Sequence, residues 1–132
     1  MKLQGLRQDL DLEREGRWVS MVGDFQVKVR RSNYEPFQSR IRELAAQAAD
    51  ECGGTLSPTQ DRKVTAQAIA EELIVDWRGM EDDNDSPILF SKERAVELSQ
   101  DDALLDLFAD ILAQAKHVDG YAVDLAARRA KK

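Results

Sequence analysis

Trp18-Val19-Ser20-Met21-Val22-Gly23-Asp24-Phe25-Gln26-Val27-Lys28-Val29-Arg30 decides how the chain is read, because its apolar residues recur at alternate positions and those after Asn33 do not. Phe25, Val27 and Val29 alternate with Gln26, Lys28 and Arg30, the pattern of a half-buried strand, and Trp18 to Val22 reads as its partner. Gly23-Asp24 suits a two-residue II′ turn, whose first position needs positive φ. That register pairs Val22 with Phe25, Ser20 with Val27 and Trp18 with Val29 on an apolar face. It leaves Arg17, Val19, Met21, Gln26, Lys28 and Arg30 on the other. Upstream, Leu6, Leu10 and Leu12, spaced by Asp9 and Asp11, offer a third strand turning at Glu15-Gly16, which a lone hairpin would need for stability.

Beyond the hairpin the period changes. Asn33 is read as an N-cap, and Phe37, Ile41, Leu44, Ala45 and Ala48 then form one helical stripe, ended by Gly53-Gly54. Ser57-Pro58-Thr59-Gln60 combines a capping serine, a proline at the first helical position and a glutamine three residues on. In the helix it starts, Ala66, Ile69, Ala70, Leu73, Ile74 and Trp77 share a face, and Gly79 is the expected stop. After a polar loop, Ser91 caps a short helix to about Leu98. Asp101 caps a last long one carrying Leu104, Leu107, Phe108, Ile111, Leu112, Ala115 and Val118. The expected fold is α+β: a small N-terminal antiparallel hairpin or three-stranded sheet followed by about four α-helices. A β region at 1–32 and a helical region at 33–121 form one domain, and 122–132 is a basic tail with Arg128, Arg129, Lys131 and Lys132.

A chain of 132 residues with 42% hydrophobic and 33% charged residues, 7 Gly and 3 Pro can bury a modest core without staples. No apolar run approaches the roughly 20 residues that cross a bilayer, and Met1-Lys2-Leu3-Gln4-Gly5 lacks a secretory stretch, so no membrane partner is expected and the expected compartment is the cytoplasm. The single Cys52 rules out a disulfide framework and multi-cysteine zinc patterns. The single His117 rules out an HExxH site and leaves a Cys-His nucleophile pair only if the fold joins the two. No phosphate-cradling or nucleophile-elbow motif is present, so the chain is read as a non-enzyme without cofactor or metal. The net charge of −6 is uneven: 9 basic against 8 acidic residues up to Asp50, then 10 against 17. Such a chain attracts phosphate backbones poorly; a nucleic acid would have to use Lys28, Arg30, Arg31, Arg40 and Arg42, and the solvated-face reading of those residues is preferred, with no nucleic-acid partner expected.

Other polar constellations reduce to structure. Asp82, Asn84, Ser86, Ile88 and Glu93 fall at positions 1, 3, 5, 7 and 12 of a calcium-loop window, but the sixth position, which needs a sharp turn, is Pro87. Pro87 instead leads into Ile88-Leu89-Phe90, an apolar segment expected to tuck onto the helices. Glu71-Glu72 and Asp101-Asp102 flank or cap amphipathic helices and are read as solvated. Trp18 and Trp77 are read as core residues before interface anchors. The hairpin's edges, with Val19 and Met21 on the face opposite its apolar one, suggest self-association and a homo-oligomer.

Val75-Asp76-Trp77-Arg78-Gly79, the loop ending in Pro87-Ile88-Leu89-Phe90-Ser91, then Arg94-Ala95-Val96-Glu97-Leu98 and Leu104-Leu105-Asp106-Leu107-Phe108 with Ile111-Leu112 together form a block. This block, with the hairpin leading into Tyr34-Glu35-Pro36-Phe37, resembles phage and prophage tail assembly chaperones of long-tailed phages, over about Arg17 to Tyr121. The resemblance implies a non-catalytic cytoplasmic protein that coats the tape measure protein until tail tube subunits replace it. Partner contacts are expected at Trp77 and Phe90 and, from the width of the last helix's stripe, at Leu104 and Phe108. The alternative is a structural tail or head-to-tail joining component that oligomerises through its hairpin.

Overall fold

The computed structural model describes residues 15–130, and side chains through residue 117. Chain order runs β1 (Arg17–Ser20), β2 (Gln26–Val29), α1 (Glu35–Cys52), α2 (Pro58–Ala68), a π-helical turn at Ile69–Leu73, β3 (Ile74–Arg78), α3 (Lys92–Ser99), a 3₁₀ turn at Asp102–Leu104 and α4 (Leu105–Ala130). The architecture is α+β: the described residues form one antiparallel sheet in the order β1-β2-β3 and four helices. The strand expected around Leu6, Leu10 and Leu12 lies outside the described residues; the third strand of this sheet is β3.

Strand β3 corrects the expectation of a helix continuing to Gly79. The helix widens into the π turn, and Ile74 is already extended. The end of β2 takes its last carbonyls: the Arg30 backbone N–H donates to Leu73 at 2.9 Å and the Arg30 guanidinium to the Glu72 carbonyl at 2.7 Å. Chain groups that would be orphaned at a helix C-terminus are thus satisfied by the sheet. Ile-Val-Asp-Trp is also β-branched and aromatic, a composition that fits a pleated, half-buried surface.

The register of β1 on β2 differs from the expected one by a single residue. Arg17 pairs with Val29, Trp18 with Lys28, Val19 with Val27 and Ser20 with Gln26. Three residues, Val22 to Asp24, form the loop: Met21 N–H donates to the Phe25 carbonyl at 2.8 Å, with Gly23 at φ 64°. A one-residue slip exchanges the faces of a strand. Val19 and Met21 accordingly lie half-buried against the core, and Trp18 points to the outer face. The pairing of Val22 with Phe25, Ser20 with Val27 and Trp18 with Val29 is corrected on the same ground.

The core lies between the inner face of the sheet and the helices. Val27 and Val29 of β2 are sealed there with Phe37 of α1, Ile69 and Leu73 of the π turn, Ala95 of α3 and Ile111 of α4. The signals that start α2 are present as read: Gln60 N–H donates to Ser57 Oγ at 3.2 Å and Ser57 N–H to Gln60 Oε1 at 2.8 Å. Ser91 caps α3, accepting from Arg94 N–H at 3.0 Å, and Gly53 ends α1 in the left-handed region. The N-cap of α1 is Tyr34 rather than Asn33, without a side-chain cap, and Pro36 stands in the first turn. No helix among the described residues is long and apolar enough to cross a membrane.

A candidate partner-binding groove

The four residues expected to meet a partner divide into two pairs. Trp77 of β3 and Phe90 come together edge to face, ring centroids 5.0 Å apart at 79°. Trp77 is buried, and its indole N–H donates to the Ile88 carbonyl at 2.8 Å, so Ile88-Leu89-Phe90 is tied down over β3 as expected. Phe108 is buried in the core, and Leu104 is half-buried in the 3₁₀ turn before α4. Trp77 and Phe108 are both buried and present little surface of their own; the less buried apolar side chains beside Phe108 are Ala109 and Leu112.

Such neighbours line a hollow of about 120 Å³ between α2 and α4. Ala66, Ile69, Leu105 and Phe108 form its apolar floor, Ala109 and Leu112 continue it along α4, and Asp61 and Arg62 stand at its rim. The volume is that of a socket for one apolar side chain. Arg62 reaches across to Asp106, and Lys63 to Asp102 at 2.8 Å. Asp61 and Asp106, the latter paired with Arg62, are both exposed there, so two carboxylates stand beside one cation. Sequence reasoning found the stripe of α4, Leu112 included, but not that Leu105 is buried in the floor while Ala109 and Leu112 form the open flank. Which side of a wide stripe stays open depends on where α2 packs, and periodicity carries no information about that.

A second cleft, of about 330 Å³, lies between α1 and α2 and is polar: Gln47, Glu51, Gln60, Lys63, Gln67 and Gln100 surround it. At one end Arg40 binds Glu71 at 2.8 and 3.2 Å and Glu43 at 3.0 Å, and these bonds, Glu71's first, hold the guanidinium above its ordinary pKa. Glu71 is thus an inter-element clamp, not the solvated carboxylate expected of it.

The acidic loop closes on itself. Asp82 Oδ1 accepts the backbone N–H of Asn84 at 2.8 Å and of Ser86 at 3.0 Å, and Glu81 bridges to Pro87. Its first carboxylate is committed to the turn. Among the described residues no group of three or more His, Cys, Asp or Glu side chains is placed to hold a metal ion.

Comparison with curated proteins and with solved structures finds no match in either. The model of the YdaY prophage protein family, by contrast, matches residues 31–132, taking in every helix, the π turn and β3. That stretch is more than half of the chain, and the chain therefore belongs to the YdaY prophage protein family.

Proposed function

We propose that this prophage protein is a tail assembly chaperone: a non-enzymatic binder that covers apolar helical stretches of the tape measure protein in the host cytoplasm, until tail tube subunits take its place. The observation that carries the reading is the groove between α2 and α4, with its apolar floor of Ile69, Leu105 and Phe108 and its carboxylate rim. An amphipathic helix docks by laying its apolar face into such a groove, and an acidic rim favours one whose flanks are basic. The resemblance of the Val75-to-Phe90 block to tail assembly chaperones supports the same reading, as does membership of a prophage family. Co-expression with the tape measure protein of the same prophage tests it. The wild type should move that protein into the soluble fraction, and Leu112→Asp, on the groove wall, should fail to do so while remaining folded by circular dichroism. A tape measure protein that stays insoluble beside a well-folded wild-type chain contradicts the proposal.

The structural tail component is the second reading, and one observation favours it. Val22, at the tip of the hairpin, is 84% exposed, as an apolar residue would be if a second copy covered it. Homo-oligomerisation on this reading runs through Val22 rather than through Val19 and Met21, which face the core. Light scattering should then report a smaller mass for Val22→Lys, and an unchanged mass counts against it.

A further inference from the structure

We propose that the outer face of the sheet binds single-stranded nucleic acid, with Trp18 as the stacking platform. The expectation that no nucleic acid is bound rested on the acidic net charge, and the expected register separately placed Trp18 on the apolar face, away from Lys28 and Arg30. The observed register instead makes Trp18 the cross-strand partner of Lys28, which in turn pairs with Asp76. Trp18 is 38% exposed, and the Arg78 guanidinium lies over its ring, 4.2 Å from the centroid. Gln26 Oε1 accepts from Arg78 Nε, and Gln26 Nε2 donates to Ser20 Oγ at 3.3 Å, so the guanidinium is held in place over the indole. Asp76, the one carboxylate among the outward strand residues, turns Oδ1 to its neighbour, the Trp77 backbone N–H, at 2.8 Å.

With one face of the indole covered by Arg78, an unpaired base has the guanidinium plane and the remaining exposed part of the Trp18 ring to stack on, and Lys28 and Arg78 supply the charge for its flanking phosphates. Bases stack on the indole whatever their identity, and cations track the backbone. The opposing net charge of −6 acts weakly here, because at physiological salt exposed charges beyond roughly 8 Å are screened and the face presents its own local sign. A duplex, whose bases are already stacked, has nothing to offer Trp18. The face is also remote in kind from the acidic groove between α2 and α4, so the two surfaces can be tested separately.

The test uses the full chain and fluorescence anisotropy of labelled 20-mers of oligo-dT and oligo-rU, with a duplex of the same length and sodium polyglutamate as competitors. At least one of the two single strands should bind in about 100 mM salt, where the long-range repulsion is screened, and the stronger names DNA or RNA as the natural ligand. Trp18→Ala should weaken it by about fivefold or more. Lys28→Gln should weaken it and flatten its dependence on salt concentration. Circular dichroism of both variants should match the wild type. The proposal is overturned if neither strand binds in about 100 mM salt, if the duplex competes as well as the single strand, if polyglutamate competes equally, or if folded Trp18→Ala binds unchanged.

Discussion

Trp77 ties three parts of the structure together. It fills the core under β2, meets Phe90 edge to face and donates to Ile88, holding the segment after the acidic loop against the sheet. Trp77→Ala should cost about 3–5 kcal/mol in urea denaturation, the range for truncating a large buried aromatic. Trp77→Phe keeps much of the volume but strands the Ile88 carbonyl, and should cost about 1–3 kcal/mol, the penalty of an unsatisfied buried acceptor. Gly79, two residues on, sits at φ 82°, where a Cβ would overlap the Asp24 carbonyl oxygen and the backbone of the β1–β2 loop. Gly79→Ala should therefore destabilise by more than the roughly 1 kcal/mol of positive φ alone, because backbone has to move as well. Equal stability of the variant would show that the close approach of loop and strand is not maintained in solution.

At the scale of elements, the signals that act locally were legible and those that depend on a partner were not. The Ser57 capping box, the Ser91 cap and the Gly53 stop need only their own few residues, and each is found where the spacing places it. Strand β3 was hidden by its own irregularity. Its pairing slips between Lys28 and Val29, so that Lys28 meets Asp76 and Val29 meets Ile74, with Val75 as the extra residue. A bulge brings residues three apart onto one face, and Ile74 and Trp77 thereby mimic the period of a helix. The β1 register was unreadable for a different reason: four of the five residues from Trp18 to Val22 are apolar, so either face could be the buried one. Of the candidate site, the stripe of α4 was visible and the groove was not, since Ile69 and Leu112 belong to different elements. Removing the α2 cap with Ser57→Ala should lower stability by about 1 kcal/mol, seen as an unchanged denaturant slope and a lower midpoint. Glu71→Gln should cost about 1 kcal/mol, discounted for the partial exposure of the Arg40 clamp. Because Arg40 holds its proton more tightly than an ordinary arginine, that contribution is complete below the usual arginine range and fades only in strong alkali. Stability that falls between pH 6 and 9 has to be assigned to another group.

Among the described residues one core joins a sheet, whose outer face carries Trp18, Lys28, Asp76 and Arg78, to a helical side with Asp61 and Asp106 beside the groove. On the two proposals above, a basic amphipathic helix goes to the groove and a single-stranded polyanion to the sheet. Raising salt from 50 to 200 mM should weaken both, since the rim carboxylates are exposed and Lys28 is only half-buried; the apolar floor should keep part of the helix binding. The account rests on the groove between α2 and α4 as the place where a helical partner docks. Amide hydrogen exchange, followed with and without a soluble helical fragment of the tape measure protein, tests it most directly. The account predicts slowed exchange from Thr65 in α2 to Ile69 in the π turn and in α4 from Leu105 to Leu112, with β1 and β2 unchanged. Protection confined to the sheet, or none at concentrations that solubilise the fragment, would contradict it.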